Sequence, residues 1–307
     1  MLVPFGNVWR VPPAIFSSRA RRVRAVAACA VLLALAGYVV AHLLTGGGGP
    51  PRCTARADGE RVALDPEQAR NAASIAAVGA GRGLPERAVT IALATAMQES
   101  GLRNIRRGDR DSLGLFQQRP SQGWGTREQI LDPVYSAGAF YDRLVRVPGY
   151  SRLPLTVAAQ RVQFSGFPQA YAKHETDAAV LTEVLRGRVP AAFGCPGPPD
   201  DGSVGDPAKV RAALVREFGP AVSGAGRVDG ESGAVLVPVR AAVRADVPRR
   251  GWELAYWAVA HSEELRIERV SYQGRVWSAR NSSQGWHAAD GGGDGNSGRE
   301  VRIGVAQ

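Results

Sequence analysis

Val89-Thr-Ile-Ala-Leu-Ala-Thr-Ala-Met97-Gln-Glu99-Ser100 is an apolar, helix-like run that closes on a carboxylate. A helix that is apolar around most of its circumference belongs in a core. A carboxylate on the wall of such a helix is poorly solvated, and such a group can serve as a general acid near neutral pH. Further along, the chain reads Gly114-Leu115-Phe116-Gln117, a loop that can bring backbone and the Gln117 amide against a polar, uncharged polymer. The pairing points to cleavage of a glycan.

These residues resemble the goose-type lysozyme and lytic transglycosylase superfamily, whose pattern runs Glu-Ser-Gly-aromatic-Asn, a polar loop, then Gly-Leu-Met-Gln. The chain has Glu99-Ser100-Gly101-Leu102, Asn104 and Gly114-Leu115-Phe116-Gln117 in that order, and the likeness covers about residues 60–190. It implies an all-α lysozyme-like fold, Glu99 as catalytic acid, and Gly114, Leu115, Phe116 and Gln117 in the sugar cleft. The implied reaction is hydrolysis of the muramyl bond or closure of a 1,6-anhydro ring. A later family motif, Ala-Tyr-Asn-Ala-Gly, carries a tyrosine near the glutamate. Its nearest match is Val162-Gln163-Phe164-Ser165-Gly166, which places Gln163 at the tyrosine position as a substrate-binding residue. A serine common in the polar loop falls on Gly108. These departures keep open a second class of function, a non-catalytic envelope module that retains the cleft for binding or assembly.

Asp109 and Asp111 are candidates for the second carboxylate that an inverting glycosidase uses to position water, and equally for loop capping or exposed ion pairs. No Ser-His-Asp or Cys-His set is evident, since the four histidines are scattered. His174 reads as a surface or packing residue, and Trp124 as either a sugar-facing aromatic or local packing.

Residues 25–44 form an uncharged apolar run of twenty residues, long enough to cross a bilayer. Arg19, Arg21, Arg22 and Arg24 precede it and place residues 1–24 on the cytoplasmic side by the positive-inside rule. A cleaved signal peptide is the competing reading, because Ala34-Leu35-Ala36 has the shape of a cleavage site. A single span encloses no solute path, which argues against a transporter. The net charge of +10 is front-loaded: seven arginines precede the first acidic residue, Asp58, and the remainder is close to balance, so nucleic acid is not an expected partner. Peptidoglycan and the membrane are.

Cys29 lies in the apolar run, while Cys53 and Cys195 bracket the lysozyme-like segment and are expected to pair in an oxidising compartment. No metal-ligand spacing and no cofactor motif occurs. Helix caps are legible at Asp65-Pro66, Thr126, Asp132-Pro133, Thr156 and Asp206-Pro207. Gly46–Pro51 and Pro196–Ser203 read as linkers. The expected organisation is a basic N-terminus (1–24), a membrane anchor (25–44), a linker (45–57), an all-α domain (58–195), a linker (196–205) and a small α/β domain (206–307). The last resembles the C-terminal domain of actinobacterial envelope proteins related to zinc-dependent DD-peptidases, through Gly251-Trp252, Trp257, His261, Trp277 and Gly285-Trp286. Glu300 and Arg302 stand where zinc-binding relatives carry histidines, which implies a metal-free relative in which His261 and His287 are structural. Trp252 and Trp257 are expected in its core.

Overall fold

The computed structural model describes residues 18–44, 52–165, 168–222, 226–230, 232–241, 243–289 and 298–307. The chain divides into two units, Met1–Pro50 and Pro51–Gln307. The first contains helix α1, Ser18–Leu44, in which Val23–Val40 is long and apolar enough to cross a membrane. The expected 45–51 part of the linker and residues 1–17 lie outside the described residues.

The second unit is mixed α/β. It opens with a hairpin, β1 Cys53–Ala57 and β2 Glu60–Leu64, turned by Asp58-Gly59 with φ of 51° and 81°. Positive φ at both central residues is the signature of the two-residue turn that matches strand twist, and Asp-Gly is its favoured sequence. Residues 53–57 are therefore strand, not linker. Helices α2 Pro66–Gly81, α3 Glu86–Ser100, α4 Arg127–Ile130, α5 Pro133–Leu144, α6 Leu155–Gln163 and α7 Glu175–Leu185 follow. Strand β3, Phe193–Gly194, returns to pair with β1, so the segment expected to be all-helical also carries a three-stranded sheet ordered β2-β1-β3. Helix α3 is the axle: Ala88, Val89 and Ile91 through Ala94 are fully buried, with α2, α5, α6 and α7 packed round it.

Cys53 and Cys195 form a disulfide that clamps the start of β1 to the residue after β3. It closes a loop of 142 residues, and on the chain-entropy account its removal costs roughly 5 kcal/mol as an upper bound. Cys53→Ser with Cys195→Ser should lower the urea midpoint strongly while the folded far-UV spectrum is kept. A midpoint unchanged in oxidising buffer would show that the bridge contributes nothing.

The remaining elements are α8 Pro207–Phe218, β4 Arg227–Val228, β5 Val235–Pro238, α9 Val247–Ala260, α10 Ser262–Leu265, β6 Ile267–Tyr272, β7 Arg275–Ser278, β8 His287–Ala288 and β9 Glu300–Val305. The six strands form an antiparallel sheet ordered β4-β5-β9-β6-β7-β8. Helix α9 is buried along most of its length, and Trp252 and Trp257 are each 1% exposed, core residues as expected.

Residues 206–307 do not stand apart from the helical segment. The Tyr256 hydroxyl donates to the Val189 carbonyl and accepts from Ala192 N–H, at 2.5 and 2.9 Å. Trp286 Nε1 donates to Phe193 O at 2.7 Å, and the buried Arg186 pairs with the buried Glu253 at 2.8 Å. The Pro196–Ser203 stretch is laid on the second sheet instead of bridging free space: Gly197 N–H donates to Ser282 Oγ, and Arg266 holds both Pro199 O and Asp201. A bridge between two bodies would leave its backbone to water, whereas here backbone and side-chain groups are paired.

Candidate active site

The last turn of α3 carries Gln98, Glu99 and Ser100, and Gly101 caps it in the left-handed conformation at φ 61°. A glycine there adopts that conformation without the cost of a Cβ. The half-buried Glu99 accepts a 2.7 Å hydrogen bond at Oε1 from the hydroxyl of Tyr171, which is fully buried. Tyr171 comes from a 3-10 segment, Pro168–His174. Its phenol pKa is raised, first by burial and then by its bond to Glu99 and that group's charge. At neutral pH it is therefore a fixed donor and not a base. The bond sets the orientation of the Glu99 carboxylate, and among the described residues Oε2 has no partner.

The Gly114–Gln117 loop is bound to the same helix end. Ser100 Oγ donates to Leu115 O at 2.8 Å, and Gln163 Nε2 donates to Phe116 O at 2.7 Å. Gly114 sits at φ 73° with Ile130 O only 2.6 Å from where a Cβ would lie, so only glycine fits without displacing backbone. Leu115 and Phe116, expected in the sugar cleft, point wholly into the core, and Phe116 stacks on Phe140 with ring centres 4.7 Å apart. Gln117 is half-buried, and its amide donates to Gly114 O at 3.1 Å. A Cβ on Gly108 would meet the Gln117 side-chain oxygen at 1.8 Å and Ser112 O at 2.9 Å. Gly108 thus makes room for Gln117 to fold over its own loop.

Gln163 braces the loop, and the phenol that bonds Glu99 comes from Tyr171, eight positions later. Phe164, next to it, is 78% exposed and held at φ 51°. Asp109 is exposed and pairs with Arg119, while Asp111 accepts from Ser121 N–H at 2.9 Å; its pKa is lowered mainly by the Ser121 hydrogen bonds. Both carboxylates serve the polar loop. Trp124 is only 6% exposed, with the Arg143 guanidinium 3.4 Å above its ring, so it is packing and not a sugar platform.

His261 is buried in the joint between the two sheets' helices. Its Nε2 lies 3.1 Å from Glu217 Oε1 and 3.4 Å from Ser74 Oγ, and its Nδ1 lies 2.8 Å from Trp257 O. Trp257 Nε1 donates to the other Glu217 oxygen at 2.7 Å. Glu300 and Arg302 lie on β9, where Arg302 pairs with Asp229 at 2.5 Å. Among the described residues no cluster of three metal-ligating side chains occurs.

Residues 209–298 match the sequence profile of the family described as VldE, C-terminal domain. This VldE-like stretch runs from α8 to beyond β8 and covers under a third of the chain. It includes Glu217, His261 and the tryptophans of α9, and it excludes Glu99, Tyr171 and the Gly114–Gln117 loop. No curated protein matches the chain.

Proposed function

We propose that the chain is an envelope protein, held in the membrane by α1, whose helical part cleaves the glycan strand of peptidoglycan with Glu99 as the general acid. The observation that carries this reading is the 2.7 Å bond from a fully buried tyrosine to a half-buried glutamate, at a helix end to which Ser100 binds the Gly114–Gln117 loop. A carboxylate fixed by one oxygen and open at the other can deliver a proton to a leaving oxygen without reorienting. As the glycosidic C–O bond breaks, the Glu99 proton passes to the departing sugar's oxygen. The carboxylate left behind can then take a proton from the attacking hydroxyl. Asp109 and Asp111 are committed to Arg119 and Ser121, which favours a route needing one carboxylate and an internal sugar hydroxyl over a water placed by a second one. The lysozyme-like likeness, the Cys53–Cys195 bridge and the apolar helix fit an extracytoplasmic site of action.

The test is a digest of purified peptidoglycan by the full chain in detergent, with products analysed by mass. Anhydro-ended muropeptides are expected. Reducing ends would assign a hydrolase instead, and no soluble products at all would leave the glycan-binding module as the reading.

A further inference from the structure

A second feature lies away from Glu99, on the outer face of the three-stranded sheet. Strand alternation sends Cys53, Ala55 and Ala57 inward and Thr54 and Arg56 outward. In the β1–β2 register Arg56 is directly opposite Arg61, and both are exposed with no side-chain partner among the described residues. Like charges facing each other across a strand pair destabilise a sheet unless an anion sits between them. Arg52, just before β1, adds a third guanidinium; it donates to Ala63 O and lies 3.7 Å from Asp65.

These arginines line a cleft of about 650 Å³. The Ser282–Trp286 turn lines the same cleft, and its Ser283 and Gln284 are exposed. No acidic side chain lines the cleft among the described residues. Its walls are fixed: the Cys53–Cys195 bridge holds the sheet, and Trp286 is pinned to Phe193 O and packed edge-on against Trp252. A rigid cleft lined by two facing guanidiniums without a counter-charge, Arg56 and Arg61, binds oxyanions, since each fork meets a carboxylate or phosphate in two parallel hydrogen bonds. A concave cleft lined by separate elements suits a chain that enters it, whereas a flat membrane surface would not reach its floor.

We propose that this cleft is a binding site for a soluble polyanion carrying phosphate or carboxylate groups along its length, a site independent of the glycan chemistry at Glu99.

The experiment uses the full chain in phosphatidylcholine nanodiscs, with polyphosphate, poly-L-glutamate and uncharged dextran as probes at low salt. Parent protein should bind at least one polyanion and not dextran, with affinity falling as salt is added. Binding of polyphosphate alone assigns phosphate as the recognised group, and binding of both polymers assigns either oxyanion. Arg56→Gln with Arg61→Gln should weaken binding at least tenfold, yet leave the melting temperature equal or higher, because the repulsion is relieved. Arg240→Glu, at an exposed arginine outside the cleft, should bind about as well as the parent. The proposal fails if neither polyanion binds, if the double variant binds like the parent, or if Arg240→Glu weakens binding equally.

Discussion

Glu99→Gln should reduce the release of soluble muropeptides by roughly 10²- to 10⁴-fold, the span general-acid catalysis contributes. The amide is nearly isosteric and can still accept the Tyr171 hydroxyl at its carbonyl oxygen, so the helix end should stay ordered. What it lacks is a transferable proton. Tyr171→Phe should fall between the variant and the parent, because it frees the carboxylate to rotate without removing the acid. The informative readout is the pair of rates measured alongside unchanged melting curves. Equal lysis by Glu99→Gln and parent would end the catalytic reading, whatever the structure around it.

The second large effect is expected at Glu217. Both His261 nitrogens face acceptors, Trp257 O and the Glu217 carboxylate, an arrangement that favours the imidazolium in this buried site. Burial alone would raise the Glu217 pKa and lower that of His261, but their mutual attraction and hydrogen bonds outweigh it, leaving Glu217 below its ordinary 4.5 and His261 above its ordinary 6.5. The Glu217 contribution is present above the unfolded value of 4.5 and is lost as pH falls through the lowered folded value. The His261 contribution is complete below 6.5 and is lost as pH rises through the raised folded value. The joint should be strongest between about pH 4.5 and 6.5. Glu217→Ala takes away the partner of the buried His261 and leaves the buried Trp257 Nε1 without an acceptor, which costs about 3 to 5 kcal/mol. Urea unfolding at pH 5.5 and pH 8.5 checks this: the gap between parent and variant should be wide at the lower pH and narrower at the higher. A gap under about 1 kcal/mol at both would show that the pair is energetically idle.

Much of the fold was legible because local rules set it. Asp65-Pro66, Asp132-Pro133 and Asp206-Pro207 open helices where capping chemistry places them, and Thr126 makes its box with Gln129. Cys53 pairs with Cys195 as expected. Thr156 was expected as a cap and instead lies inside α6, where Pro154 opens the helix. The Asp58-Gly59 hairpin was also written in the sequence, but the glycine and proline residues before it drew the segment into a linker. The site was harder to read. A motif comparison looks for the tyrosine at a fixed position beside Gly166, whereas Tyr171 reaches Glu99 from a 3-10 turn whose path depends on packing. The Ala170-Tyr171 pair carried the signal. Least legible was the joining of residues 206–307 to the helical part, since Tyr256 with Val189 and Glu217 with His261 are long-range meetings that no window of sequence records.

The clamp between Cys53 and Cys195 has a consequence for how the chain would fail under attack by proteases. Every helix from α2 to α7, with Glu99, Tyr171 and the Gly114–Gln117 loop, lies between the two bridged cysteines. A single cut anywhere in that stretch therefore releases no fragment: the two pieces stay covalently joined and migrate as one species until a reductant is added. Damage to the helical body would be invisible on a non-reducing gel, and the nicked protein would keep both halves in one covalent molecule.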